Sequence, residues 1–423
     1  MAQVKPVGIH CMHAYCGVAS LDVDDIFTAR GLDQRRKDNL LMVSKSVALP
    51  CEDAVTFAVN AAAPLLAGLT EQQRNSIGLL FVATESGLDY SKSIAAWAHG
   101  LLGLSRNCQL LEMKQACDSG ISAVRLACSA LRSGDMPGAM ALVIAVDLPW
   151  VLPGTYIEPS QGAGAVAVLI GTDPQAIAVE PSTSGWYSFD TPDFLRPLPD
   201  TYLWDIDLSM LCYLECLKGA FTDYRRERSA AEVLEEFDFL VMHAPFPGMV
   251  RGGHRALLRS TGQDDKASQR LRPDQLDQDF WTRAGPSVGY QQQVGNIYAA
   301  TTLLGLAGVL DKATPGARGK VGIFSYGSGC SSQFLSVTLC SSTPQPRTNT
   351  ADALSDRARL TIDEYDALLE HSGPTVAGVR DATLDLDHLA HYLKSFQADR
   401  ADRQPLLVLE EVRNHRRRYT WLE

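Results

Sequence analysis

Four short apolar runs rich in β-branched residues constrain the fold of this chain more than any other feature. Their length and composition are typical of strands buried on both faces of a parallel sheet. Ala-rich segments of helical periodicity stand between the first two runs, at residues 117–131, and between the last two, at 296–310. This alternation predicts a layered α/β fold. The four runs are Ile77–Ala83, Ala141–Asp147, Phe237–Met242 and Val321–Tyr326.

The predicted pattern of strands and helices occurs twice along the chain. In each half the first apolar run is followed by a polar residue, Glu85 or His243, and the next helical segment begins at Cys117 or Asn296. Ligands bind beyond the carboxyl ends of the strands in open α/β sheets, so we expect these four side chains to share one site. A glycine-containing strand is predicted to close each half, over Gly162–Ile170 and Gly327–Leu339.

The two predicted halves pack about a pseudo-twofold axis. An early helix is predicted in the first half, with Asp53 as its N-cap and Gly68 at its C-terminal end. Thr361 and Glu364 have capping-box spacing, so the C-terminal segment is predicted to add a helix and strands to the second half. We predict halves spanning residues 1–175 and 176–423, with loop insertions near 181–225 and 250–285.

Cys117 is the candidate nucleophile. It precedes a helix whose free N–H groups and positive dipole end favour a thiolate. Thiolates attack thioesters readily, and the same N–H groups can hold the resulting oxyanion. The alternative is a small buried hydrophobic residue, the usual role of a free cysteine.

Glu85 and His243 are the candidate acid–base residues. A carboxylate at a strand end in an apolar site has a raised pKa, which suits it to removing a proton beside a thioester carbonyl. The prolines after His243 are predicted to prevent a helix and to present the imidazole on a loop. The alternatives are a capping or ion-paired carboxylate and a structural histidine.

Asn296 and the segment Ser325–Gly329 are candidates for substrate binding. Glycine in that segment lets backbone N–H groups approach a ligand, as an oxyanion hole requires. An ordinary N-cap and a strand-to-strand turn are the alternatives.

Composition and charge argue against several classes of protein. The 423 residues are 46% hydrophobic and 21% charged, which is typical of a globular protein. A net charge of −11 argues against binding nucleic acid or an anionic membrane. We find no run near the ~18 uninterrupted apolar residues of a membrane span and predict no secretory signal. The ten cysteines form no CxxC pair, so we expect reduced thiols, a cytoplasmic enzyme and no metal.

Eight segments between about residues 30 and 340 are distinctive in their order and spacing. They are NLLMVSKSVALPCEDAVTFAVNAA, ATESGLDYSKS, RNCQLLEMKQAC, EPSQGAGAVAVL, TPDFLRP, HAPFPGMV, GNIYAATTLLGL and FSYGSG. Together they resemble the 3-hydroxy-3-methylglutaryl (HMG) synthases, and more closely the branch that works in polyketide β-branching cassettes. The resemblance implies a thiolase-like fold of duplicated βαβαβαββ halves forming a layered αβαβα core, a homodimer, and no cofactor of its own.

The resemblance also implies roles for individual residues. Cys117 matches the nucleophile that takes acetyl from a donor thioester, Glu85 the general base, and His243 the residue that polarises the β-ketone of the acceptor. Asp193 matches an acid that supports the site from a loop. The positions that match acceptor binding and the oxyanion are Asn296, Tyr326, Gly327 and Ser328.

The implied reaction is an aldol-type condensation of acetyl-Cys117 with a β-ketone. In the polyketide branch donor and acceptor are carried by acyl carrier proteins, whose phosphopantetheine arrives with the substrate; in primary metabolism they are acetyl-CoA and acetoacetyl-CoA. A basic group near His243 is predicted to hold either carrier or coenzyme phosphates, so charge leaves the branch open. The sequence also leaves open whether the donor carries an acetyl or a propionyl group. The basic residues are Arg251, His254, Arg255 and Arg259.

Three positions depart from the family pattern. The nucleophile is usually followed by an aromatic residue, with a Thr three further on, but Asp118 and Ile121 stand here. Asp118 is expected to oppose thiolate formation where it points into the site, which motivates the alternative of a non-catalytic acyl-thioester-binding homologue. Val151, where the family tends to have an aromatic residue, fits a remodelled pocket.

Overall fold

A computed structural model describes residues 6–136, 138–226, 236–261, 272–313, 319–341, 348, 350–397 and 405–422. The strands are β1 (Val7–Tyr15), β2 (Ala19–Asp22), β3 (Ser44–Val47), β4 (Ile77–Ala83), β5 (Gln109–Met113), β6 (Met140–Asp147), β7 (Gly164–Thr172), β8 (Ile177–Ser188), β9 (Phe194–Leu198), β10 (Thr201–Trp204), β11 (Phe239–Met242), β12 (Lys320–Gly327), β13 (Ser331–Leu339), β14 (Ala358–Arg359), β15 (Ala382–Thr383), β16 (Leu406–Arg413) and β17 (Arg416–Leu422). The α-helices are α1 (Val23–Ala29), α2 (Gln34–Leu40), α3 (Ala54–Ala67), α4 (Glu71–Asn75), α5 (Ile94–Leu101), α6 (Ser119–Ser133), α7 (Ile206–Tyr224), α8 (Pro247–Thr261), α9 (Pro273–Arg283), α10 (Gly285–Val294), α11 (Thr301–Lys312), α12 (Thr350–Ser355), α13 (Ile362–Glu370) and α14 (Leu386–Gln397). Single 3₁₀ turns lie at Glu158–Ser160, Tyr298–Ala300 and Gly373–Thr375.

The main sheet repeats one pairing pattern. Its order is β11-β12-β13-β8-β1-β7-β6-β4-β5. In one half β4 pairs in parallel with β6, while β6–β7 and β7–β1 are antiparallel. In the other half β11 pairs in parallel with β12, while β12–β13 and β13–β8 are antiparallel. The same order and senses therefore occur twice, and the first half adds the edge strand β5.

Alternating side chains of the strands fill two different cores. On β4, Leu80 and Val82 face the core that includes α3, while Leu79 and Phe81 face a central core shared with α6 and α11. The outer face of the second half packs against α7 and α8. Strands buried on both faces read as continuous apolar runs, which is why they were recognisable in the sequence. The predicted layered α/β fold is confirmed.

Central helix α6 approaches the Tyr298–Ala300 turn of the second half very closely. A Cβ at Gly120, in the first turn of α6, would lie 2.1 Å from the Ala299 carbonyl oxygen. Only glycine permits this contact, which draws the residues before α6 and before α11 together.

The local helix signals are confirmed. The Asp53 carboxylate accepts from the backbone N–H of Val55 and Thr56, and α3 ends at Gly68. Thr361 and Glu364 form the expected capping box of α13. The helical segments begin later than expected: α6 begins at Ser119, and α11 follows a 3₁₀ turn.

The placement predicted for the C-terminal segment is wrong. The Asn60 side chain of α3 exchanges two hydrogen bonds with the backbone of Leu407, at 2.9 and 3.0 Å. Arg417 forms a buried ion pair with Asp53 at 3.0 Å. The segment therefore covers the first half rather than finishing the second, because the apolar face of β16 packs on the outer core around α3.

Among the described residues, no helix combines the length and the apolar character that crossing a membrane requires.

Candidate active site

A single cavity brings together most of the predicted site residues. It has a volume of about 930 Å³, including the part open to solvent, and lies at the carboxyl ends of β4, β11 and β12. The predicted residues that line it are Glu85, Cys117, His243, Asn296, Tyr326 and Ser328.

Cys117 lines the cavity from a turn just before α6. Ala116 holds a left-handed backbone conformation, with φ of 44°, that turns the chain sharply into the helix. The Cys117 thiol donates to Glu85 Oε1 at a sulfur–oxygen distance of 3.5 Å. Burial, then the charges of Glu85 and Asp147, raise the pKa of this thiol well above its ordinary value. The helix dipole was expected to favour a thiolate, but burial outweighs it and the resting group is the thiol.

The raised pKa predicted for the Glu85 carboxyl is confirmed. Burial, and next the charge of Asp147, raise the pKa of its carboxyl to about 7. A carboxylate of that basicity can accept a proton from the thiol beside it.

Asp147 is a site residue that the sequence interpretation missed. One oxygen accepts from the Glu85 backbone N–H at 2.8 Å and from the Ser86 hydroxyl at 2.7 Å. The other accepts from the Ala299 backbone N–H at 2.9 Å. Asp147 thus ties the base to the turn that precedes α11. The available signal was its place at the carboxyl end of β6, the position that singled out Glu85 after β4.

His243 is buried and lines the same cavity. Burial lowers the pKa of its imidazole to about 3, so the ring is neutral. Within the described residues its Nδ1 has no hydrogen-bond partner. Its backbone is fixed, because its N–H donates to the Phe324 carbonyl at 2.8 Å and its carbonyl accepts from the Tyr213 hydroxyl at 2.9 Å. The loop position is as predicted, but Pro247 begins helix α8 instead of preventing a helix, as proline can at a first helical position.

Asp193 supports the loop that carries Tyr326 and Ser328. It is fully buried, and its carboxylate accepts from the Tyr326 hydroxyl at 3.0 Å and from the Gly329 backbone N–H at 2.9 Å. A Cβ at Gly327 would lie 2.7 Å from the Gln115 carbonyl oxygen. Glycine therefore lets this loop reach the turn that carries Cys117.

Asn296 makes cap-like hydrogen bonds and also lies at the cavity. Its Oδ1 accepts from the Tyr298 backbone N–H at 3.0 Å and from the Thr301 hydroxyl at 2.9 Å, as a cap does. The residue also lines the cavity.

Asp118 points away from the thiol. Its carboxylate accepts from Gln333 Nε2 at 2.7 Å and from the Ser331 hydroxyl at 3.1 Å, and it does not line the cavity. Ile121 is packed in the central core. Val151 lines a different cavity, beside Lys45, so it does not remodel this one.

The basic group after His243 is largely neutralised. Arg251 and Arg255 both pair with Asp277, at 2.6 and 2.7 Å. His254 is buried and paired with Asp279 at 2.7 Å, so its predicted contact with a bound partner is wrong. Helix α9 supplies both aspartates, a tertiary contact that the position of the arginines in the sequence does not reveal.

No group of three or more His, Cys, Asp or Glu side chains suited to a metal ion occurs within the ranges that the structure describes.

Two family descriptions match this chain. "Hydroxymethylglutaryl-coenzyme A synthase N terminal" matches residues 3–176, and the corresponding C-terminal description matches residues 263–377. The chain belongs to the hydroxymethylglutaryl-CoA synthase family. The predicted thiolase-like fold and C–C bond-forming synthase activity are confirmed with it.

Similarity to individual proteins indicates which branch of the family this chain resembles. The chain is 39% identical to the polyketide biosynthesis 3-hydroxy-3-methylglutaryl-ACP synthase PksG of Bacillus subtilis, over 98% of this chain and 99% of that protein. It is 31% identical to the hydroxymethylglutaryl-CoA synthase of Enterococcus faecalis, over 75% and 79%. The HMG synthase of the curacin biosynthetic pathway, solved in complex with acetyl donor-ACP, superposes with a TM-score of 0.90 at 37% identity, over 99% and 100%. The predicted similarity to the polyketide branch is confirmed.

Proposed function

We propose that this HMG synthase takes an acetyl group from a donor acyl carrier protein onto Cys117 and adds it to the β-ketone of a carrier-bound polyketide. The observation that carries the proposal is the contact of the Cys117 thiol with Glu85 Oε1 at 3.5 Å, in a cavity that also contains His243. The carrier is proposed because the curacin enzyme was solved with acetyl donor-ACP and PksG is named an ACP synthase.

In the first step Glu85 accepts the thiol proton and Cys117 Sγ attacks the thioester carbonyl. The carbon–sulfur bond to phosphopantetheine breaks, and the departing thiol takes up the proton from Glu85. A base is needed because the resting Cys117 is a protonated thiol.

In the second step Glu85 removes a proton from the acetyl methyl group, and the resulting enolate carbon forms a bond to the β-ketone carbon of the acceptor. A neutral His243 donates a hydrogen bond to the ketone oxygen, where negative charge develops. The new alkoxide takes up the proton held by Glu85. Water then hydrolyses the Cys117 thioester, which frees the thiol and leaves a carboxylate on the product.

A carrier docking surface is proposed on α2 and α8, which pack side by side. Phe246 and Met249, at the start of α8, line the cavity, so this surface adjoins its mouth. Arg36 and Arg259 are exposed there, and Arg255 is half-buried beside Asp277. A carrier protein with acidic side chains would be attracted to these groups.

We also propose a homodimer, a cytoplasmic enzyme and no cofactor beyond the phosphopantetheine of the substrates. The edge strand β5 supports the dimer: its outer side has no strand neighbour in the described sheet, and Leu111 is 43% exposed. Ten free cysteines suit a reducing compartment.

Intact-mass measurement of acetyl loading tests the proposed function. We expect one added acetyl group from acetyl-carrier protein, more slowly from acetyl-CoA, and none in Cys117→Ala. Cys108→Ala, which alters a more exposed thiol outside the cavity, is the matched control and should load normally. Equal rates with both donors would favour primary metabolism, and no loading with either would favour a non-catalytic homologue.

A further inference from the structure

Arg196, on strand β9, is a half-buried cation that contacts the backbone of the proposed base Glu85. Its guanidinium donates a hydrogen bond to the Glu85 backbone carbonyl. It also lies against two aromatic rings, with its Cζ 5.8 Å from the ring centre of Tyr202 and 5.9 Å from that of Tyr298. A planar guanidinium can lie against rings while the N–H groups at its edge donate in fixed directions, a geometry that the single ammonium of lysine does not reproduce.

The peptide groups on both sides of the Glu85 α-carbon are held by charged side chains. The Glu85 backbone N–H donates to Asp147 from one side, and its carbonyl accepts from Arg196 on the other. Glu85 lies two residues after the end of β4 at Ala83, beyond the residues through which that strand pairs with its neighbours. These two contacts therefore define where its carboxylate stands relative to Cys117.

The positive charge of Arg196 also changes the pKa of both reacting groups. It lowers the pKa of the Glu85 carboxyl and of the Cys117 thiol, against the larger effect of burial. Among the described residues, Asp147 from β6, Cys117 and Lys114 from the segment before α6 and Tyr298 from the turn before α11 also interact with Glu85. Neutral His243 lines the same cavity.

We propose that Arg196 is a positioning residue that orients Glu85 and keeps its carboxylate available as a base. This inference rests on the proposed function of Glu85 and Cys117. It assigns Arg196 to the deprotonation of the acetyl methyl group, acting through Glu85 without touching the substrate.

Deuterium uptake by acetyl-Cys117 isolates this step. The enzyme is acetylated with acetyl-carrier protein, no acceptor is added, and the acetyl-Cys117 peptide is weighed after timed incubation in deuterated buffer across a pH series. Uptake requires deprotonated Glu85, so in the wild type its rate should rise with pH through about 7.

In Arg196→Gln we expect the rise to move to higher pH by about one pH unit, because a nearby positive charge is lost. The rate at high pH should fall by about tenfold or more, since Glu85 is less well oriented. Arg196→Lys should restore the pH of the rise but not the full rate. Arg74→Gln is the matched control, because Arg74 also donates to backbone carbonyls, of Leu66 and Leu102, outside the cavity.

The outcomes separate the inference from the proposed function. A wild type that takes up no acetyl group, or no deuterium, overturns both. A wild type that does both, with Arg196→Gln unchanged in the pH of the rise and no slower than Arg74→Gln, overturns the assignment of Arg196 alone. Thermal unfolding of each variant shows whether a slower rate comes from misfolding. Where Arg196→Gln is misfolded, the rate and pH dependence of Arg196→Lys provide the test.

Discussion

The Asp118 carboxylate accepts a hydrogen bond from Gln333 Nε2 at 2.7 Å, and it therefore faces strand β13 instead of the thiol of the neighbouring Cys117. This contact removes the strongest sequence argument against reactivity, a negative charge inside the site. The charges that do raise the pKa of the Cys117 thiol, after burial, are those of Glu85 and Asp147.

Replacing Asp118 should affect stability more than acetyl loading. In Asp118→Ala the buried Gln333 amide loses an acceptor, which should cost about 1–3 kcal/mol in the free energy of unfolding. The rate of acetyl loading, followed by intact mass, should stay within about threefold of the wild type, because the side chain lies outside the cavity. A tenfold increase in that rate would mean that Asp118 does act on the nucleophile.

Condensation should depend on the protonation of Glu85. The base acts as a carboxylate, so the rate should rise as pH increases through about 7, the pKa to which burial raises this carboxyl. Glu85→Gln should abolish condensation, measured as product on the acceptor carrier. Retention of that pH-dependent rise in Glu85→Gln would assign it to another group.

Gly327→Ala should damage the site through its backbone. The added Cβ would lie 2.7 Å from the Gln115 carbonyl oxygen, so the loop would move away from the Cys117 turn. We expect acetyl loading to slow by about tenfold or more. Gly289→Ala in α10 is the control, since its Cβ would meet no atom within 4 Å and alanine favours a helix. Equal loading rates in the two variants would contradict this role of Gly327.

Arg417 should be important for stability although it belongs to a basic terminal stretch. Its side chain is 4% exposed and that of Asp53 is 0% exposed, so Arg417→Leu leaves a buried carboxylate without its cationic partner. The expected loss is about 3–5 kcal/mol in the free energy of unfolding, measured with urea. Arg418→Ala is the comparison, because Arg418 is 58% exposed and surface pairs contribute about 1 kcal/mol or less. Similar losses in both variants would show that the buried pair contributes no more to the free energy of unfolding than the surface pair.

Much of the framework was predictable because its signals are local. The strand Ile77–Ala83 has the predicted bounds, and Asp53 and Gly68 bound helix α3 as expected. Buried strands have a distinctive composition, and caps satisfy backbone groups a few residues away. The convergence of Glu85, Cys117 and His243 on one cavity followed from their places at strand ends and a helix start.

The errors concern side chains whose environment comes from distant segments. His254 was expected to be available to a partner, but α9 buries and pairs it. The C-terminal strands were assigned to the wrong half because nothing in their sequence specifies the helix that they cover.

The sequence by itself determined the order of strands and helices, the helix caps and the residues that the family assigns to catalysis. Only the tertiary structure decided the direction of Asp118, the protonated state of Cys117 and the fixing of Glu85 by Asp147 and Arg196. The physical reason is that burial and pairing depend on neighbours in space: Gln333 is 215 residues from Asp118, and Arg196 is 111 residues from Glu85.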